Sequence, residues 1–155
     1  MGWVTLTARK LALRLAINTL EKRDIDISRQ LRASHRQYAY DQSIFKNNKA
    51  FELREIKESY DEVRDERPED RESEEYNEWY QEYQFAKEDY EAAKFDINEM
   101  YEAELAMIEE ESQEQESMLQ QEQTTIESQL EAQRAEYDVV KEQISKEIEE
   151  SAIQI

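Results

Sequence analysis

The sequence predicts an all-α fold: an elongated helical hairpin or coiled coil of two long helices, with room for a third. Three observations carry this. Among 155 residues there is one glycine, Gly2, and one proline, Pro68, so almost nothing forces the backbone to turn. Ala, Glu, Lys, Leu and Arg supply 74 of the 155, a composition of long helices. Apolar residues also recur at steps of three and four along most of the chain. That periodicity decides the case. Leu, Ile, Val and Phe number only 30 and the formal net charge is −19, a combination that reads as intrinsic disorder when the apolar residues are scattered.

The first arm, residues 1–66, carries the clearest row: Leu13, Ile17, Leu20, Asp24, Ile27, Leu31, Ser34 and Tyr38. Steps of four and three alternate, as in a coiled-coil seam. Leu11, Leu15 and Ile25 form a second partial row that widens the stripe, and Thr5 or Thr7 is expected to cap the helix start. Around Asp41-Gln42-Ser43 and Asn47-Asn48 the phase slips, and Leu53, Ile56, Tyr60 and Val63 do not extend the first row. A kink or short loop over 39–49 is therefore admitted, which is where a third helix would come from.

Residues 67–75 form a charged elbow around Pro68, whose fixed backbone angle suits the first turn of the helix that follows. The second arm, 76–155, opens on Trp79, Tyr83, Ala86, Tyr90, Ala93, Ile97, Met100, Glu104 and Met107, with Tyr76, Tyr80 and Tyr101 on the flank. Alternating aromatics and alanines allow two helices to interdigitate closely. Over 109–136 the chain turns Glu- and Gln-rich and reads as a solvated helix held by its neighbours. Tyr137, Val140, Ile144 and Ile148 then restore the stripe. Helices over about 5–66 and 69–150, folded at Pro68, would set Thr5 near Arg134. Roughly the last 20 residues, about 30 Å of helix, would overhang and dock on another chain.

Charge divides the chain. Residues 1–60 hold 12 Lys/Arg against 7 Asp/Glu, whereas 61–155 hold 8 against 32. The basic arm and the acidic arm should attract each other, within the chain or between copies. Such an excess of acid disfavours nucleic-acid binding by the body of the protein, because phosphates need a basic footprint. Without an apolar run near 18 residues, a membrane span is not expected either.

Chemistry is sparsely supplied. Cysteine is absent, and the single histidine, His35, reads as a helix-surface residue. With Gly2 alone, glycine-rich phosphate loops and the calcium loop of an EF-hand are excluded. Carboxylates abound, but acid–base catalysis requires a desolvated pocket, so an enzyme is not expected, nor is a cofactor or a metal. The candidate functional residues are those of the seam itself, read as partner contacts: Leu13, Ile17, Leu20, Ile27, Leu31, Trp79, Tyr83, Tyr90, Ile97, Met100, Tyr137, Val140, Ile144 and Ile148.

The expectation is a non-enzymatic structural or assembly protein, cytoplasmic or virion-internal, that oligomerises with itself or bridges subunits of a larger particle. An alternative is a stalk- or chaperone-like accessory factor of a secretion machine. The plan of two long charged helices with a basic N-terminal region is similar to the small stalk proteins of type III export systems. That similarity lies in architecture and rests on no motif, so it implies no site residues. A third reading, behind these two, is a membrane-surface adaptor acting through residues 1–36.

Overall fold

A computed structural model describes residues 2–154, and the side chains of 2–152. The fold is all-α: helix α1 spans Trp3–Asp65 and helix α2 spans Glu74–Gln154, joined by an elbow over 66–73. Among the described residues there are two helices, not three. No residue of 39–49 leaves the helix.

The phase slip has a different cause from a break. Residues turned inward along α1 step by four and three as far as Ser34, then by four, four and three through Tyr38, Gln42, Phe45, Lys49, Leu53 and Ile56. This is an 11-residue spacing, about 3.67 residues per turn, which keeps a row on one face of an unbroken helix where a 7-residue spacing would drift off it. In α2 the same change occurs from Ile97 through Tyr101, Leu105, Ile108, Ser112, Glu116 and Leu119. Tyr101, placed on the flank by a strict 7-residue spacing, is buried, and Met100, placed in the seam, is 45% exposed.

Both helix starts also differ from expectation. Because nothing after Gly2 breaks the backbone, α1 begins at Trp3, and Thr7 does not cap it: its hydroxyl donates back to the carbonyl of Trp3 at 2.8 Å. Pro68 lies in the elbow and not in the first turn of α2. There Ser73 is the cap. Its Oγ accepts from the amide of Tyr76 at 3.1 Å and donates to the carbonyl of Asp70 at 2.8 Å, while the Asp70 carboxylate accepts from the amide of Glu72 at 3.0 Å. Glu74 and Glu75 then place negative charge beside the positive end of the helix dipole.

Contacts fall into two units. One comprises residues 1–35 and 113–155, the other 36–112. In the first unit the helices run antiparallel around two small cores. Leu6, Leu13 and Val140 are buried together, with Tyr137 and Ile144 packed against them. Ile27, Ile126 and Leu130 form the second core, backed by Ile17, Leu20, Leu31 and Leu119. Leu6 thus sits among Tyr137, Val140 and Ile144, so Thr5 is not level with Arg134. The tail stripe as far as Ile144 is covered inside the chain, and the expected 20-residue overhang is shorter by the same amount. Apolar fit sets this register: sliding back to Arg134 would uncover Val140.

Polar contacts complete the first unit. Gln123 donates to Asp24 at 3.3 Å and to Ser28 at 3.1 Å, which accommodates the acid that interrupts the α1 row. Arg9 pairs with Glu136, Arg23 with Glu122, and Arg134 with Glu21 at 2.9 Å. All six side chains are roughly half exposed, and such pairs typically contribute about 0.2–1 kcal/mol. Apolar burial therefore outweighs them. Ile27 is fully buried, and Ile27→Ala is expected to lower unfolding stability by about 2–5 kcal/mol, measured by urea denaturation followed at 222 nm. Glu122→Gln should change it by less than about 1 kcal/mol.

Candidate protein-interaction site

The elbow unit, residues 36–112, is built on aromatic rings. Trp79 is buried, and its indole N–H donates to the carbonyl of Val63 at 2.7 Å. Val63 lies in the last turn of α1, where carbonyls lack a helical partner, so the indole caps one helix from the side of the other. Trp79 stacks on Tyr83 with ring centroids 5.1 Å apart and meets Tyr76 at 5.4 Å. Tyr60 stacks on Tyr90 at 4.9 Å, and its hydroxyl shares a 2.9 Å hydrogen bond with that of Tyr83. Farther from the elbow, Phe45 meets Tyr101 edge-on at 6.1 Å.

Small residues beside these rings leave an open groove of about 290 Å³ lined by Ile56, Tyr60, Val63, Ala86, Tyr90 and Ala93. The hydrogen bond with Tyr83, followed by burial, holds the Tyr60 phenol above the ordinary tyrosine value near 10. Burial, followed by the Glu52 carboxylate, does the same for Tyr101. Both rings are therefore neutral at physiological pH, and Ser59 and Asp89 complete the lining of the groove. Among the described residues no three His, Cys, Asp or Glu side chains gather as a metal site. No described helix is long and apolar enough to cross a membrane.

Most of the seam residues anticipated as partner contacts are occupied by the chain itself. Leu13, Ile27, Trp79 and Val140 are buried. Ile17, Leu20, Leu31, Tyr83, Tyr90, Ile97, Tyr137 and Ile144 are half-buried against the facing helix. Met100 and Ile148 are exposed, Ile148 at 52%. Leu6 and Tyr60 were missing from that set. Leu6 stands one 7-residue repeat before Leu13, and Tyr60 lies on a row that appears continuous only when the 11-residue spacing is allowed.

The uncovered apolar residues lie elsewhere. Leu11, Leu15 and Ile25 lie outside the packed seam, 52–67% exposed together with Val4, and Ile25 borders a hollow at its edge with Leu130 and Arg134. Val4, Ala8, Leu11, Leu15, Asn18, Lys22 and Ile25 step by four and three, so α1 carries a second row outside the seam. The elbow unit repeats the feature with Tyr40, Ile44 and Phe51 on α1 and with Phe85, Phe95 and Met107 on α2. Scattered exposed apolar side chains are ordinary; those of the α1 row recur at helical spacing. Compared with protein-family models, curated proteins and solved structures, the chain matches none.

Two outcomes follow for the elbow. Trp79→Phe keeps the ring but orphans the Val63 carbonyl, so it is expected to cost about 1–3 kcal/mol in urea denaturation, more than Tyr80→Phe on the exposed side. For Tyr60 and Tyr101, a folded pKa above the unfolded one means a contribution complete below pH 10 and lost as pH rises through the folded value. Thermal midpoints should hold between pH 7 and 9 and fall above about pH 10. The fall should be shallower in Tyr60→Phe/Tyr101→Phe.

Proposed function

We propose that this protein is a non-enzymatic structural or assembly protein that oligomerises or bridges subunits of a larger complex. One observation carries the reading: α1 has a second apolar row, Val4, Leu11, Leu15 and Ile25, outside the packed hairpin seam. The seam already satisfies the needs of the fold. A second row at helical spacing has no use in a solitary hairpin, and its natural occupant is another helix presenting a similar row. Arg14 stands beside it with no acid before Glu21, while Arg9 and Lys10 are engaged across the seam with Glu136 and Tyr137. An acidic helical partner therefore suits it.

The surface adaptor and secretion-stalk readings have no observation of their own here. An anionic membrane would accept the basic residues, yet Glu21, Asp24 and Asp26 stand within the same stretch, and acids weaken attraction to such a surface. A cytoplasmic or virion-internal setting agrees with the assembly reading and with a chain that has no cysteine to oxidise.

The test is cross-linking in the cells or particles that produce the chain. Amine-reactive reagents followed by mass spectrometry should join Lys10 and Lys22 to other polypeptides, and Leu11→Asp/Leu15→Asp should abolish those links while intrachain links persist. Recovery of intrachain links alone from the wild type would overturn the reading.

A further inference from the structure

We infer that the elbow unit docks heterologously on a second copy of this chain, the far side of α1 in one copy against the far side of α2 in the next. The inference rests on the assembly reading above and adds the identity of the partner and the mode of contact.

Within the elbow unit the two helices turn their uncovered faces outward in opposite directions, and these faces differ in kind. On α1 the row is Arg36, Tyr40, Ile44, Asn47, Phe51 and Arg54: three apolar or aromatic residues and an asparagine between two arginines. Tyr40, Ile44 and Phe51 are 62%, 37% and 57% exposed. On α2 the row is Phe85, Glu88, Ala92, Phe95, Glu99 and Met107, with Phe85, Phe95 and Met107 61–69% exposed. Between Arg36 and Arg54 the charged residues of the first row are basic, with Glu58 the next position along it, and every charged residue of the second row is acidic. The surrounding sequence repeats the contrast: residues 36–57 hold five Lys/Arg and three Asp/Glu, whereas 85–110 hold two and nine.

Size matches as well as sign. Ala92 leaves space between the two phenylalanines of α2, into which the larger rings of Tyr40 or Phe51 fit, as knobs fit between neighbours on a facing helix. Pairing α1 with α1 would oppose arginine to arginine, and pairing α2 with α2 would oppose glutamate to glutamate. Like charges across an interface are unfavourable and suppress wrong pairings. Only the mixed pairing satisfies both charge and shape. The pair would still hold one unused face of each kind, α2 on the first copy and α1 on the second, so the contact propagates into an open array or closes as a ring.

Two complementary variants test this in purified full-length protein. Tyr40→Asp/Phe51→Asp disables the α1 face and leaves the α2 face intact; Phe85→Asp/Phe95→Asp does the reverse. By sedimentation equilibrium, the wild type should exceed twice the 18.7 kDa of one chain. Each variant alone should be monomeric with unchanged helicity by circular dichroism. An equimolar mixture should give a species of twice the monomer mass and none larger. Serine in place of aspartate at the same positions provides a second pair should an aspartate variant lose helicity, with the same masses expected. A monomeric wild type would overturn the inference, as would dimerisation of either variant alone, which would signify pairing through faces other than these two. If the purified chain is monomeric yet is cross-linked to other proteins in its source, the inference fails and the assembly reading stands. Absence of those links removes the assembly reading itself.

Discussion

Keeping one row of side chains on one face of each helix, over 63 residues in α1 and 81 in α2, is the constraint on which the structure depends. A helix of that length cannot be held by its ends, and intrinsic propensity alone contributes little once tertiary contacts are removed. Each turn must therefore offer something to the facing helix. Few of these offerings are large: among the described residues eight hydrophobic side chains are buried, and between them stand serines, glutamines and an aspartate. Spacing is what makes so thin a core sufficient, because it places every modest contact where a partner waits.

Polar members of the row have a part in this. Asp24 would be a defect in a continuous apolar seam, yet Gln123 reaches both it and Ser28. A polar contact of this kind adds little net stability, because it replaces bonds to water. It does penalise slippage, since moving either helix by one turn would bury the carboxylate beside a hydrocarbon neighbour. The buried cores around Leu6 and Ile27 determine that the helices pair, and the polar layer near Asp24 helps to determine where. At the elbow the Trp79 indole has a similar role, fixing α1 to α2 through the one carbonyl of Val63 that the helix leaves free.

Much of this was legible in the sequence. The scarcity of glycine and proline and the row from Leu13 to Tyr38 indicate two helices and the faces they bury. Three features were not legible, each for a physical reason. A change from a 7-residue to an 11-residue spacing looks like a break when only the shorter repeat is tracked, which admitted a loop at 39–49 and moved Tyr101 out of the seam. The start of α2 depends on Ser73 capping, and Pro68 is the louder signal although the cap decides. Register depends on which apolar residues meet across the hairpin, and counting residues from the elbow missed the pairing of Leu6 with Val140. As for the candidate site, Leu11, Leu15 and Ile25 stood out in sequence, but a list of spacings gives their angle relative to the seam only after the seam is known.

That angle separates two kinds of apolar residue that composition cannot tell apart. Leu13 and Leu15 are two positions apart and chemically identical; one is buried against Val140 and the other is 67% exposed. Two residues of helix amount to about 200°, so adjacent leucines of such a pair serve opposite surfaces. A chain with so few apolar residues places several of them where folding does not use them. Exposing such residues weakens solubility, which the large negative charge helps to maintain. Mutual repulsion between acidic arms would at the same time oppose indiscriminate clumping through the outward rows. Contact is then favoured where an acidic face meets a basic one, and in the elbow unit those are the far sides of α2 and α1. In the proposed assembly the asymmetry of charge along the chain would act as a filter on association, with apolar contact supplying most of the affinity and charge deciding which faces meet.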